Sequence, residues 1–172
     1  AWGRVADYRI GQIQKMANVE VYLQSELDAD QVLEFGFEHV CLATGSHWRR
    51  DGMGRAHLHP MTITAGMPLF TPDDIMAGNL PTGHVVLFDD DHYYMGGVIA
   101  EKLAAHGCQV TLVTPAAHVS EWTLNTLEQR FIHQRLAKQG IEIRLNTVMV
   151  GINDEAALLA CAFTDKADKI ST

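Results

Sequence analysis

Long hydrophobic runs, basic residues and cysteine are what this 172-residue sequence has least of. No stretch reaches the roughly 18 apolar residues needed to span a bilayer, and the N-terminus lacks the charged-then-apolar pattern of a secretory signal. A cytoplasmic location is the expectation. The 13 Lys and Arg against 21 Asp and Glu leave a formal charge of -8 and a pI near 5.5, which argues against broad attraction to nucleic acid or anionic lipid. Cys41, Cys108 and Cys161 are odd in number and far apart, so neither a disulfide framework nor a metal-ligand spacing is present. Each lies in or beside an apolar, strand-like run, where a buried thiol is expected. What is plentiful is apolar surface, 47% of residues, enough for one good core or two small ones and contrary to disorder.

The chain starts on Ala1 directly in a helical pattern and stops at Ser171-Thr172 just after a strand-like run. That suggests an excised fragment, although removal of an initiator methionine explains the start equally well. Val5, Tyr8, Ile13 and Met16 recur near helical spacing across Arg4 to Ala17, and Val19 to Leu23 then alternates as a strand. Asp30 to Phe35 reads as a short helix ended by Gly36, and His39 to Ala43 as an apolar strand stopping at Thr44-Gly45-Ser46. Trp48 to Leu69 has no clear period and reads as a linker. Within it, Trp48-Arg49-Arg50 is either an interaction patch or a solvated loop.

Thr71-Pro72-Asp73-Asp74 is a strong helix start, with a hydroxyl to cap, a proline where no amide partner is needed, and acids at the positive helix end. Gly78 and Pro81 close that helix. A buried-type strand follows at Val85 to Phe88, then a helix from Met95 to His106 ending at Gly107, and a strand from Gln109 to Val113. A helix over Leu124 to Gln139, with Leu127, Phe131 and Leu136 on its apolar face, leads to a strand at Ile141 to Leu145. Val148 to Ile152 and Ala157 to Phe163 complete the pattern as a hairpin. Strand, helix, strand, helix, strand is the βαβαβ unit of a mononucleotide-binding fold, with a parallel sheet. The expected fold class is therefore α/β, a Rossmann-like parallel sheet with a C-terminal β-hairpin.

A dinucleotide-binding unit runs its first strand into Gly-x-Gly-x-x-Gly, which brings backbone amides close to the pyrophosphate. Here Val85 to Phe88 runs instead into Asp89-Asp90-Asp91-His92, and glycine returns only at Gly96-Gly97, where it suits close helix packing. Carboxylates stand where phosphates belong; even at an effective dielectric of about 20, a like-charge contact at about 4 Å costs about 4 kcal/mol. The strand Gln109 to Val113 ends in Thr114-Pro115, with neither an acid for the ribose hydroxyls of NAD nor a basic cluster for the phosphate of NADP. The expectation is that the acids are solvated and interact favourably with the helix N-terminus. A strand followed by paired acids also resembles a receiver domain that gathers Mg²⁺, but Leu145-Asn146-Thr147 supplies no later acid.

At this point the residues resemble a family, the iron–sulfur flavoproteins of trimethylamine dehydrogenase and 2,4-dienoyl-CoA reductase, and their amine dehydrogenase branch in particular. The resemblance covers essentially the whole chain. His39 to Ser46 is similar to the strand and Ala-Thr-Gly that close over a flavin or ADP. Val85 to Ala104, with its aspartates and Tyr93-Tyr94-Met95, resembles the degenerate second nucleotide domain of that branch. The resemblance implies that residues 1–68 are a partial FAD/ADP-binding-like α/β portion with a linker, and residues 69–172 a degenerate NAD(P)-binding-like domain, incomplete at its C-terminus. It implies a parent carrying FMN, a 4Fe–4S cluster and ADP or FAD/NAD(P), paired as a homodimer, with this segment docked on a flavin barrel and inactive alone. No cofactor is expected to be held tightly by the segment itself, and no catalytic residue carries over. Candidate cofactor-binding residues are Thr44, Gly45 and Ser46, a hydroxyl donor and a glycine that admits a nucleotide to the backbone.

Two other readings stay open, a standalone adenine-nucleotide-binding regulatory module using Thr44-Gly45 and the Mg-binding receiver. The 9 histidines are scattered, with no converging metal set. Ser46 lacks a triad partner in any recognised arrangement. Trp122 reads as core or as a face toward missing parts of the protein.

Overall fold

The computed structural model describes residues Gly3 to Ser171; Ala1, Trp2 and Thr172, the ends of the two expected portions, lie outside the described residues. The chain divides into two compact units, one up to Gly45 and one from Ser46.

The first unit holds helix α1 (Gly3–Ile13) and helix α2 (Ala29–Glu34). Asp28 caps α2 in a reciprocal box with Gln31, each side chain accepting the other's backbone N–H, so two of the free amides of the first turn are satisfied. The strands expected at Val19 to Leu23 and His39 to Ala43 do not form. A strand needs a neighbour for its backbone groups, and the described residues of this unit offer none. No described residue here is buried, and Cys41, expected to be buried, is exposed. Tyr22, Phe35 and Phe37 cluster, the two phenylalanine rings stacked 5.9 Å apart.

The second unit is a parallel sheet with helices on one face and a second sheet on the other. Its first elements are strand β1 (Thr62–Ile63) and helix α3 (Pro72–Ala77). Strand β2 (His84–Phe88), helix α4 (Met95–Ala105), strand β3 (Gln109–Val113), helix α5 (Gln129–Lys138) and strand β4 (Glu142–Arg144) give the expected βαβαβ order. The sheet is β2-β3-β4, parallel throughout. Strands β5 (Thr147–Ile152), β6 (Ala156–Cys161) and β7 (Ala167–Ser171) form an antiparallel meander, so the expected hairpin gains a third strand. On its other edge β5 pairs in parallel with β1, from the segment read as a linker.

The two faces of the parallel sheet follow the period of two along its strands. Val85, Leu87, Val110 and Leu112 join Ile75, Ile99, Leu103, Val119, Ile132 and Leu136 beneath the helices. Val86, Phe88 and Val113 face the other way, onto Met149, Ala157, Leu159 and Ile170 of the second sheet. Helix α3 starts as its sequence predicts: Thr71 and Asp74 form a reciprocal box, Pro72 sits at the first helical position, and Gly78 ends the helix at φ 94. The long helix expected over Leu124 to Gln139 is instead a 3-10 turn (Glu121–Leu124) followed by α5. Leu127 breaks it with φ 61 and stands 82% exposed. Restarting after the break sets a new phase, so Ile132 and Leu136 are buried while Phe131 is exposed.

Candidate functional site

The carboxyl ends of β2 and β3 are where a parallel α/β sheet places its ligands, and the turn after β2 brings its own acidic side chains to that end of the sheet. Asp89 follows Phe88 directly and is 3% exposed. Its Oδ1 accepts the backbone N–H groups of Asp91 and His92, both at 3.2 Å. Its Oδ2, also buried, has no hydrogen-bond partner. Burial pushes its carboxyl pKa up, against the two amide bonds and the nearby His92, which hold it down.

Asp90 faces the loop before β1. Its Oδ2 accepts the Ala56 N–H at 2.8 Å, and its Oδ1 lies 3.4 Å from His92 Nε2, with both side chains mostly buried. His92 takes the left-handed backbone region at φ 62. Its carbonyl accepts the Trp122 N–H at 2.9 Å, and its Nδ1 lies 3.4 Å from Thr114 Oγ1. The expectation of solvated acids is therefore corrected for Asp89 and Asp90: amides of the turn receive Asp89 Oδ1, and the Ala56 amide with the nearby His92 ring meets Asp90, while one oxygen of each carboxylate has no hydrogen-bond partner.

Thr114, at the place where a ribose-binding acid would stand, is fully buried, and its Oγ1 also accepts the Ala116 N–H. Gly96 and Gly97 in the first turn of α4 serve two different contacts. A Cβ on Gly97 would meet Ile132 and Ser120 at ordinary to tight distances, as the helix-packing reading expects. A Cβ on Gly96 would fall 2.6 Å from Asp89 Oδ2 and 2.8 Å from Asp89 Cβ. Sequence reasoning found the glycine and the aspartate but not that one exists for the other.

Beside the turn is a cleft of about 280 Å³ lined by Arg55, Asp91, Tyr93, Trp122, Asn125 and Thr126. The Arg55 guanidinium lies over the Trp122 ring, 5.1 Å from its centroid. Trp122 is thus not core; a cation lies over an indole that is still 54% exposed. In the Trp48-Arg49-Arg50 run the arginines are paired, Arg49 with Asp51 and Arg50 with Asp74 at 2.6 Å. Those bonds hold the Asp51 and Asp74 carboxyls down at about 2.

Thr44, Gly45 and Ser46 are all exposed. Gly45 has φ 76 with open space around its Cα, a backbone that glycine adopts without strain. The boundary between the two units falls directly after it.

A 4Fe–4S cluster takes four thiolates, and the chain has 3 cysteines, of which Cys41 is exposed and Cys108 buried. The residues present do not fit such a cluster. Among the described residues no group of three or more His, Cys, Asp or Glu could hold a metal ion, and no helix is long and apolar enough to cross a membrane.

Residues 70–169 match the model of the OYE-like second alpha/beta domain. The chain is 31% identical over 144 residues to dimethylamine dehydrogenase of Hyphomicrobium sp. (strain x), covering 77% of this chain and 20% of that protein. It superposes on the histamine dehydrogenase of Rhizobium sp. 4-9 with a TM-score of 0.89 at 52% identity, over 99% of this chain and 27% of that one. A 6-hydroxypseudooxynicotine amine oxidase from Pseudomonas geniculata N1 superposes with a TM-score of 0.86 at 40% identity, over 99% and 26%. The chain thus spans between a fifth and about a quarter of the length of these relatives.

Proposed function

This chain belongs to the OYE-like second alpha/beta domain family, and on that premise we propose that it is an internal module of a flavin- and iron–sulfur-dependent oxidoreductase of the amine dehydrogenase kind. In this reading the parent oxidises a small amine through FMN and a 4Fe–4S cluster carried elsewhere in its chain. The segment is a scaffold without chemistry of its own. Three relatives whose names describe oxidation of amines support the amine class.

The observation that carries the scaffold reading is the surface of the first unit. Tyr8, Leu23, Phe37 and Leu42 are 63%, 81%, 72% and 82% exposed, and no described residue up to Gly45 is buried. Apolar exposure on that scale marks an interaction surface, and the flavin barrel of the parent is the partner the reading assigns to it. The proposed division is residues 1–68 and 69–172, supported for the second part by a family match that begins at residue 70; residues 46–68, the linker of the first portion, fold with the second part through β1.

An adenine nucleotide of the parent is assigned to Thr44, Gly45 and Ser46, supported by the left-handed Gly45, where a larger residue would be strained. A cytoplasmic, homodimeric parent completes the proposal.

The isolated chain should retain no FMN and oxidise no amine, while the full-length parent does both. Amine turnover by the isolated chain would sink the scaffold reading. Calorimetry of the parent with ADP should lose affinity on Gly45→Val, and an unchanged affinity would remove the nucleotide assignment.

A further inference from the structure

We propose that Asp89 is the specificity-determining residue that denies a pyridine dinucleotide its pyrophosphate seat in this domain, and that it does so by occupying the seat rather than by repelling the ligand from a distance. The inference goes beyond the scaffold reading because it names the group that closes the site and states what its removal restores.

Three observations converge on one side chain. The first is shape. In a glycine-rich turn nothing projects between the end of the first strand and the first turn of the helix, so phosphate oxygens can approach the backbone. Here the Asp89 carboxylate lies against the Cα of Gly96, so closely that even a methyl group there would be 2.6 Å from Oδ2. The second is the use of donors. Two amides of the turn, those of Asp91 and His92, are already given to Asp89 Oδ1. A ligand phosphate would have to displace that carboxylate to reach them. The third is the state of Oδ2. It belongs to a side chain only 3% exposed, it lies against Gly96 in the first turn of an 11-residue helix, and it has no partner. The acid takes the space against Gly96 without receiving a donor there.

The neighbours keep the plug in place. Asp90 fastens the turn to Ala56, and His92 fastens it to Trp122. Thr114 leaves no acid to receive a ribose. Shape and charge make different forecasts, because asparagine keeps the volume of Asp89 while removing its charge, and glycine removes both.

The test is calorimetry of the full-length parent with inorganic pyrophosphate, using wild type, Asp89→Asn and Asp89→Gly, each checked for an unaltered flavin spectrum. The comparison is between variants differing at one residue, so a nucleotide site at Thr44 contributes equally to all and its failure would not alter the outcome. Asp89→Asn should bind pyrophosphate within about threefold of wild type, and Asp89→Gly at least tenfold more tightly than wild type. If Asp89→Gly does not fold, Asp89→Ala, which leaves only Cβ above Gly96, should show a smaller gain in the same direction. Equal gains in Asp89→Asn and the smaller variants would overturn the plug in favour of charge alone. No gain in a folded Asp89→Gly or Asp89→Ala would overturn it altogether.

Discussion

Gly96→Ala is the perturbation whose sign depends most on the contact with Asp89. On an ordinary helix the change stabilises, because alanine exceeds glycine in helix propensity by about 1 kcal/mol. Here the new Cβ would lie 2.6 Å from Asp89 Oδ2 and 2.8 Å from Asp89 Cβ. Asp89 cannot swing into water, since it is buried and its Oδ1 is held by two amides. Overpacking of this kind costs about 1–3 kcal/mol, and disturbing hydrogen bonds to a charged group costs about 1.5–3 kcal/mol more. Set against the propensity gain, the net is a loss of about 3 kcal/mol, or about 9 °C in Tm at roughly 3 °C per kcal/mol for a chain of this size. In an Asp89→Gly background the obstacle is gone, and the same Gly96→Ala change should raise stability by about 1 kcal/mol. Thermal melting followed by circular dichroism measures all four proteins of the cycle. A loss from Gly96→Ala that persists unchanged in the Asp89→Gly background would refute the contact, as would a Gly96→Ala protein as stable as wild type.

Asp89→Asn should stabilise the fold at neutral pH, with the advantage fading on acidification. The folded carboxyl titrates above its ordinary value of 3.8, so its contribution is present below about pH 4 and is lost as pH rises through the folded pKa; a melting series that shows no pH dependence in the difference would contradict this. Asp51 behaves in the opposite sense. Its pKa of about 2 in the fold against 3.8 ordinarily gives a contribution present above about pH 4 and lost as pH falls toward 2, and Arg49→Ala should flatten that acid limb of the melting profile. Thr71→Ala removes the cap of α3 and should cost about 1 kcal/mol by urea denaturation. Leu127→Gly should gain about 0.5–1 kcal/mol, because an exposed leucine at φ 61 carries left-handed strain that glycine does not; a loss on urea denaturation would show that Leu127 makes a contact worth more than its strain.

Where local chemistry decides an element, the sequence predicted it closely. The hydroxyl, proline and acids at Thr71 to Asp74 define the start of α3, and the uninterrupted Gln109 to Val113 run is β3 residue for residue. Elements decided by tertiary partners were not legible. Val19 to Leu23 and His39 to Ala43 have the composition of strands but no neighbour to pair with among the described residues of their unit. Strand β7 buries only Ile170 of its five residues, leaving no alternation to detect, and is held by its ladder to β6. The break at Leu127 interrupts a pattern that remains helical on both sides, with no Gly or Pro to mark it.

The candidate site followed the same division. Three aspartates in place of glycines already carried the expectation that the turn after β2 does not suit a dinucleotide. That Asp89 and Asp90 are internal, each meeting donors from segments distant in sequence or from the turn's own backbone, required the fold.

The central proposal, that this is a dinucleotide-closed module of an amine-oxidising flavoprotein, is tested most directly by anaerobic titration of the full-length parent, watching the flavin absorbance. A small amine should bleach the flavin while NADH and NADPH leave it oxidised; bleaching by either nicotinamide, with none by amines, would contradict the account.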